Sequence, residues 1–193
     1  MGFVLSFFRL RFASSLFALR ETARRRLDKV EITLRHEDVD TTTKDYETGA
    51  LEEYDDERDD VVVTEYLKDR SVKDLEWERN KLMQLIDAIG NLDEPSSKMI
   101  HLLNDLDDRV DLVSGRIQQT VIFTRFYDTL TDISAWLRRR KPGILLGYYS
   151  GKGCEYYDAE LAQMVSVDRE EIKERFLRGE IDVLICTDAA AEG

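Results

Sequence analysis

Ile181-Asp182-Val183-Leu184-Ile185-Cys186-Thr187-Asp188-Ala189-Ala190-Ala191-Glu192-Gly193 is the stretch around which the rest of the chain is organised. Residues 183–186 form an uninterrupted apolar run held between Asp182 and Thr187-Asp188, the pattern of a strand buried on both faces of a parallel sheet. The small residues after it let the backbone turn tightly at the strand's carboxyl end, and that edge is where open α/β sheets hold ligands.

Working outward, residues 119–126 (Gln-Thr-Val-Ile-Phe-Thr-Arg-Phe) read as a second buried strand ending in a polar pair. Between the two lie a helical pattern over 127–139, a strand over 144–148 and a helix over 168–178. This alternation predicts an α/β fold, a parallel sheet flanked by helices with right-handed crossovers. Leu130, Ile133, Trp136 and Leu137 make the apolar stripe of the first crossover helix, and Ile172, Phe176 and Leu177 that of the second. The connection from Tyr148 to Tyr157 is long for such a fold and carries one lysine and four tyrosines, a composition suited to stacking on bases or to meeting a partner. Its Gly151-Lys152-Gly153 lacks the full glycine spacing and the Ser/Thr of a phosphate loop. Upstream, residues 98–110 form a helix with Met99, Leu102, Leu103 and Leu106 inward. Asp93-Glu94-Pro95-Ser96-Ser97 marks a domain boundary, with proline ending one element and serine placed to cap the next.

Three motifs at these spacings carry a resemblance. VIFTRF (121–126) resembles helicase motif four and VLICTDAAAEG (183–193) motif five. The seven-residue step from Arg169 to Phe176 matches an arginine-to-phenylalanine spacing found between those motifs. The chain over about 96–193 is thus similar to the second RecA-like lobe of superfamily-two helicases, and most closely to Swi/Snf-like ATPases.

The first 93 residues read as an all-helical half. Residues 2–31 read as one amphipathic basic helix with Phe8, Phe12, Leu16, Leu19, Ala23, Leu27 and Val30 on one stripe. Three roles fit it: an arginine-rich targeting leader, a plain packing helix, or a packing helix that offers arginines to DNA phosphate. Residues 11–19 are similar to a stretch where a helix joins the two lobes of Swi/Snf-like ATPases, which favours an internal helix. Residues 36–60 lose periodicity and, from Glu37, carry twelve acids against Lys44 and Arg58, the composition of a solvated, disordered insertion. A second helix starts around Val62, carries Leu75, Leu82, Leu85, Ile86, Ile89 and Leu92, and stops at Gly90-Asn91.

Composition limits the function classes. The net charge of -12 over 193 residues argues against nucleic-acid binding by the whole surface and leaves only locally basic regions for it. Cys154 and Cys186 have no metal-ligand spacing, which fits a reduced, cytoplasmic protein. Arg9 and Arg11 interrupt the one apolar window long enough to suggest a membrane span.

The resemblance implies part of an ATP-dependent DNA helicase or translocase that contacts double-stranded DNA and helps close an ATP site. It implies nucleic-acid contacts by Thr124, Arg125, Thr187 and Asp188, a nucleotide cleft near Glu192 and Gly193, and supporting roles for Arg169 and Phe176. For Arg125 and Arg169 a surface salt bridge is the plain alternative. ATP and magnesium belong to the complete motor, whose phosphate loop, magnesium-binding acids and motif-six arginines are not in this sequence. The expectation is an incomplete lobe that needs a first lobe in cis, binds no nucleotide or metal alone and is inactive by itself. The alternative is a non-catalytic module, binding protein or nucleic acid on a degenerate helicase lobe.

Overall fold

The computed structural model describes residues 2–37, 70–92 and 95–187. The chain divides into two compact units, Met1–Glu94 and Pro95–Gly193.

In the first unit the expected single helix is two. Helix α1 (Gly2–Ser14) ends and α2 (Leu16–Glu37) begins around Ser15. The Ser15 hydroxyl accepts the Ala18 N–H at 2.9 Å, which satisfies a first-turn donor of α2 in the manner of an N-cap. The break offsets the two apolar stripes. Leu19, Ala23 and Val30 are buried as expected, whereas Phe7 takes the inward place in α1 and Phe12 is 61% exposed. Helix α3 (Val72–Gly90) is capped by Ser71, which accepts from the Asp74 N–H, and ends at Asn91. Ala23 and Val30 of α2 and Leu75 and Leu82 of α3 form one apolar cluster. Leu92, past the helix end, is exposed instead of lying on that stripe. The acidic stretch from Asp38 onward, and the expected helix start near Val62, lie outside the described residues.

Two arginines of the basic helix are buried. Arg26 grips Glu78 with both ends of its guanidinium, at 2.8 Å (Nε to Oε1) and 3.1 Å (Nη2 to Oε2). Arg11 is fully buried and lies over Phe7, 5.1 Å from the ring centroid. The arginine face expected for DNA is therefore reduced, because a guanidinium held inside the fold cannot also meet phosphate. Arg9, Arg24 and Arg35 remain exposed.

The second unit holds α4 (Ser97–Asp107), α5 (Tyr127–Arg140), α6 (Arg169–Leu177) and strands β1 (Thr120–Thr124), β2 (Leu146–Ser150), β3 (Gly153–Asp158), β4 (Gln163–Val167) and β5 (Val183–Thr187). Ser96 caps α4, accepting from the Met99 N–H. The sheet order is β1-β5-β2-β3-β4. β1, β5 and β2 are parallel, as expected, while β2 to β3 and β3 to β4 are antiparallel. The sheet is thus mixed, and the segment read as a long loop is a two-strand meander. Its tight turn is Gly151-Lys152, since Ser150 pairs with Gly153. Gly153 takes φ 127°, a conformation that side chains with a Cβ rarely adopt.

Helices α4 and α5 cover one sheet face and α6 the other, and the strands sort their side chains accordingly. Leu146, Tyr148, Val183 and Ile185 share a core with Met99, Leu106, Leu130, Ile133, Trp136 and Leu137. Tyr149, Cys154, Leu184 and Cys186 share the opposite core with Ile172. Leu177, expected inside, is 81% exposed. It stands five residues from Ile172, off the face that three- and four-residue steps define.

At the amino edge a single buried carboxylate ties the strand starts together. Asp182 accepts from Arg116 Nε at 2.9 Å and Nη2 at 2.6 Å, and from the Leu145 N–H at 3.1 Å. Its backbone carbonyl accepts from Thr120 and its N–H donates to Leu145. Asp182 thereby sets where β1, β2 and β5 begin, and so which residues arrive at the opposite edge.

Candidate nucleic-acid interface

Three parallel strands deliver their last residues to that carboxyl edge. Thr124, at the end of β1, is the register partner of Thr187, at the end of β5. Both are buried. Parallel partners point to the same sheet face, so two hydroxyls, each able to donate and accept, sit on adjacent strands. β2 ends alongside at Ser150, whose hydroxyl donates to the Gly153 carbonyl at 3.0 Å.

Cationic side chains stand at the same edge, because α5 and α6 both begin there. Arg125, between β1 and α5, is exposed with its guanidinium carbon 5.5 Å from the Phe126 ring centroid. Arg169 opens α6 behind the Asp168 cap, exposed, with its guanidinium carbon 5.7 Å from the Tyr149 centroid. Neither enters an ion pair among the described residues.

Phe176 has a different task. Seven residues are about two helical turns, which brings Phe176 to the face of α6 that carries Ile172, against the Tyr149, Leu184 and Cys186 core. Its carbonyl accepts from the Gln119 side chain next to β1. Phe176 holds α6 to the sheet, and Arg169 is the end of that helix that reaches the edge.

These features sit in a domain with a recognisable counterpart. Residues 98–193 match the helicase conserved C-terminal domain. The match covers just under half of the chain, starts within α4 and takes in every strand of the sheet. No curated protein matches the chain. A helicase C-terminal domain implies interaction with nucleic acid, and it supports a superfamily-two C-terminal lobe in this half.

Within the matched region, Thr124, Arg125 and Thr187 come together at one edge, whereas Asp188, Glu192 and Gly193 lie outside the described residues. The four tyrosines do not form a stacking loop. Tyr148 and Tyr149 are buried in the two cores, and Tyr157 and Tyr156 lie half-buried on β3 under Arg138 at 4.7 Å and Arg175 at 3.9 Å. The alternation of β3 and β4 was the signal for this, since residues one apart on a strand face opposite ways. Burial raises the Tyr148 phenol above its ordinary value.

Gly151-Lys152-Gly153 is a hairpin turn, and a phosphate loop needs a strand-to-helix turn. Among the described residues no group of three His, Cys, Asp or Glu side chains could hold a metal ion. No helix there is long and apolar enough to cross a membrane. Cys154 and Cys186 are free and both are register partners of Tyr149, one on each side. Two strand spacings of about 4.8 Å separate them, beyond disulfide reach.

Proposed function

We propose that this chain is part of an ATP-dependent DNA translocase of the Swi/Snf-like class, and that its carboxyl edge runs along the backbone of double-stranded DNA. The juxtaposition of Thr124 and Thr187 beside exposed Arg125 carries this reading. Hydroxyls suit phosphate oxygens by donating, and a guanidinium adds a charge-assisted pair of donors. On this reading Asp188 adds a further nucleic-acid contact, Glu192 and Gly193 serve a nucleotide cleft, and Arg169 and Phe176 support them from the flanking helix. ATP and magnesium serve the complete motor in the cytoplasm. Because the phosphate loop and magnesium-binding acids are not in this sequence, a further lobe supplies them.

Such contacts act by displacing counterions, so affinity for duplex DNA falls steeply with salt. The test is fluorescence anisotropy of a labelled duplex against the 193-residue chain at several salt concentrations. Arg125→Ala is expected to reduce the slope of log affinity against log salt by about 0.9. Binding that ignores salt, or none at low salt, removes the reading.

A further inference from the structure

We infer that Lys152, at the turn of the β2–β3 hairpin, is a second backbone-phosphate contact that carries the nucleic-acid track from β1 and β5 across to β2. This deepens the reading just proposed and rests on it. No motif assigns Lys152 a role, and the structure excludes the phosphate-loop role that its flanking glycines suggest.

Three observations place it. The turn follows Ser150 directly, so Lys152 stands at the carboxyl edge that also holds Thr124 and Thr187. Its ammonium lies 4.6 Å from the ring centroid of Tyr127, the first residue of α5 and two residues past Arg125. The lysine of β2 thus leans toward the segment that carries the arginine of β1. Finally, its mount is stiff: the turn is two residues long, closed by the Ser150 hydroxyl on the Gly153 carbonyl and by the φ 127° of Gly153. The backbone that carries the lysine therefore loses little freedom when a ligand is met.

The spacing suits a polyphosphate chain. β1 and β2 flank β5, about 9.6 Å apart at two strand spacings. One strand of duplex DNA presents a phosphate per 3.4 Å of axis, so that interval spans about three of them. Lysine acts on phosphate as a point charge, and its contact reads backbone and not bases. Of the acids at this edge, Asp168 caps α6 through the Glu171 N–H, Glu170 pairs with Lys173, and Asp128 stands in the first turn of α5. Glu155, half-buried on β3, is felt by Tyr127.

The experiment measures the salt slope of binding to a duplex of about 20 base pairs for the full chain, Lys152→Ala, Lys152→Arg, Arg125→Ala and Arg139→Ala. Arg139 is exposed at the far end of α5, away from the edge. Lys152→Ala is expected to lower the slope by about 0.9, as Arg125→Ala does, with Lys152→Arg restoring it and Arg139→Ala leaving it unchanged. Lys152 is exposed in a turn, so all four variants should melt with the parent. A drop for Arg125→Ala but none for Lys152→Ala overturns the inference and leaves the proposed function standing. An equal drop for Arg139→Ala also overturns it, since any cation would then serve. A parent chain that does not bind overturns both.

Discussion

Thr124 and Thr187 end adjacent parallel strands as register partners, although 63 positions separate them in the chain. Both side chains are buried against the face that carries α4 and α5, so each can lose its hydroxyl to an equal-sized methyl without a cavity. Thr124→Val and Thr187→Val are expected to keep the parent melting temperature within a few degrees. Each should weaken duplex binding about fivefold, the worth of one net hydrogen bond near 1 kcal/mol. Unchanged affinity in both variants would remove the threonine pair from the interface.

Asp182 is a structural linchpin of the second unit. Asp182→Ala strands the Leu145 N–H and takes from Arg116 its carboxylate partner, and leaving a part-buried donor unmade costs about 1–3 kcal/mol. Urea unfolding should show the midpoint falling without a change in slope. Arg116→Ala, which leaves the less exposed partner charged, should be at least as harmful; stability equal to the parent in both would show that the strand starts are set by something else.

Arg26 and Glu78 hold α2 to α3 with two charge-assisted bonds at an almost closed site. Removing one partner of a buried pair is strongly destabilising, about 3–5 kcal/mol when burial is complete, and Glu78→Ala takes the carboxylate from Arg26 and also from Arg70, which approaches it at 3.8 Å. Limited proteolysis of Glu78→Ala is expected to cut the first unit while the second stays resistant. Loss of both together, or of neither, contradicts this.

Burial pushes the Cys186 thiol up to about 11 from an ordinary 9.0, with the neighbouring Cys154 adding to it. A group whose folded pKa is raised contributes stability that is complete below the unfolded value and is lost as pH climbs through the folded one. The melting temperature of the parent should therefore fall between pH 9 and pH 11 more than that of Cys186→Ala. Near neutral pH a thiol reagent should modify neither cysteine until denaturant is added.

The 193-residue chain is expected to release phosphate from ATP no faster than background, with or without duplex DNA. Phosphoryl transfer needs a positioned metal and donors around the β- and γ-phosphates, and one missing arginine finger alone costs about a thousandfold. DNA-stimulated release that Arg169→Ala abolishes would refute this.

Much of the second unit was legible because hydrophobic runs of five or six residues bounded by polar ones leave few options. The strands at Thr120 and Val183 and both crossover helices lie within a residue of where the pattern put them. The strand after Pro142 begins two residues later than expected, since Ile144 is buried but precedes the ladder. The hairpin from Gly153 to Val167 escaped notice because its apolar residues are tyrosine, cysteine, methionine and valine diluted with Asp, Glu and Gly. Its alternation was masked by the phosphate-loop look of its turn. In the first unit, a run of apolar residues at helical spacing concealed the Ser15 cap, since serine is tolerated inside helices as well as at their starts. The burial of Arg11 and Arg26 had no sequence signal. It depends on partners such as Glu78, 52 residues away. At the candidate interface, the motif residues Thr124, Arg125 and Thr187 were readable, while Lys152 could be placed only once the turn it sits on was known.

The order of the sheet also bears on biosynthesis. β5 lies between β1 and β2, yet it leaves the ribosome after the other described strands. Until then β1 has no ladder partner among the described strands, and the nascent chain holds its parallel half open. Non-local pairing of this kind is slow and exposes apolar surface while it waits. Translation arrested before residue 183 would yield a hairpin and helices with an orphaned first strand, a species for holding chaperones, and β1 would join this sheet only when β5 slides in beside it.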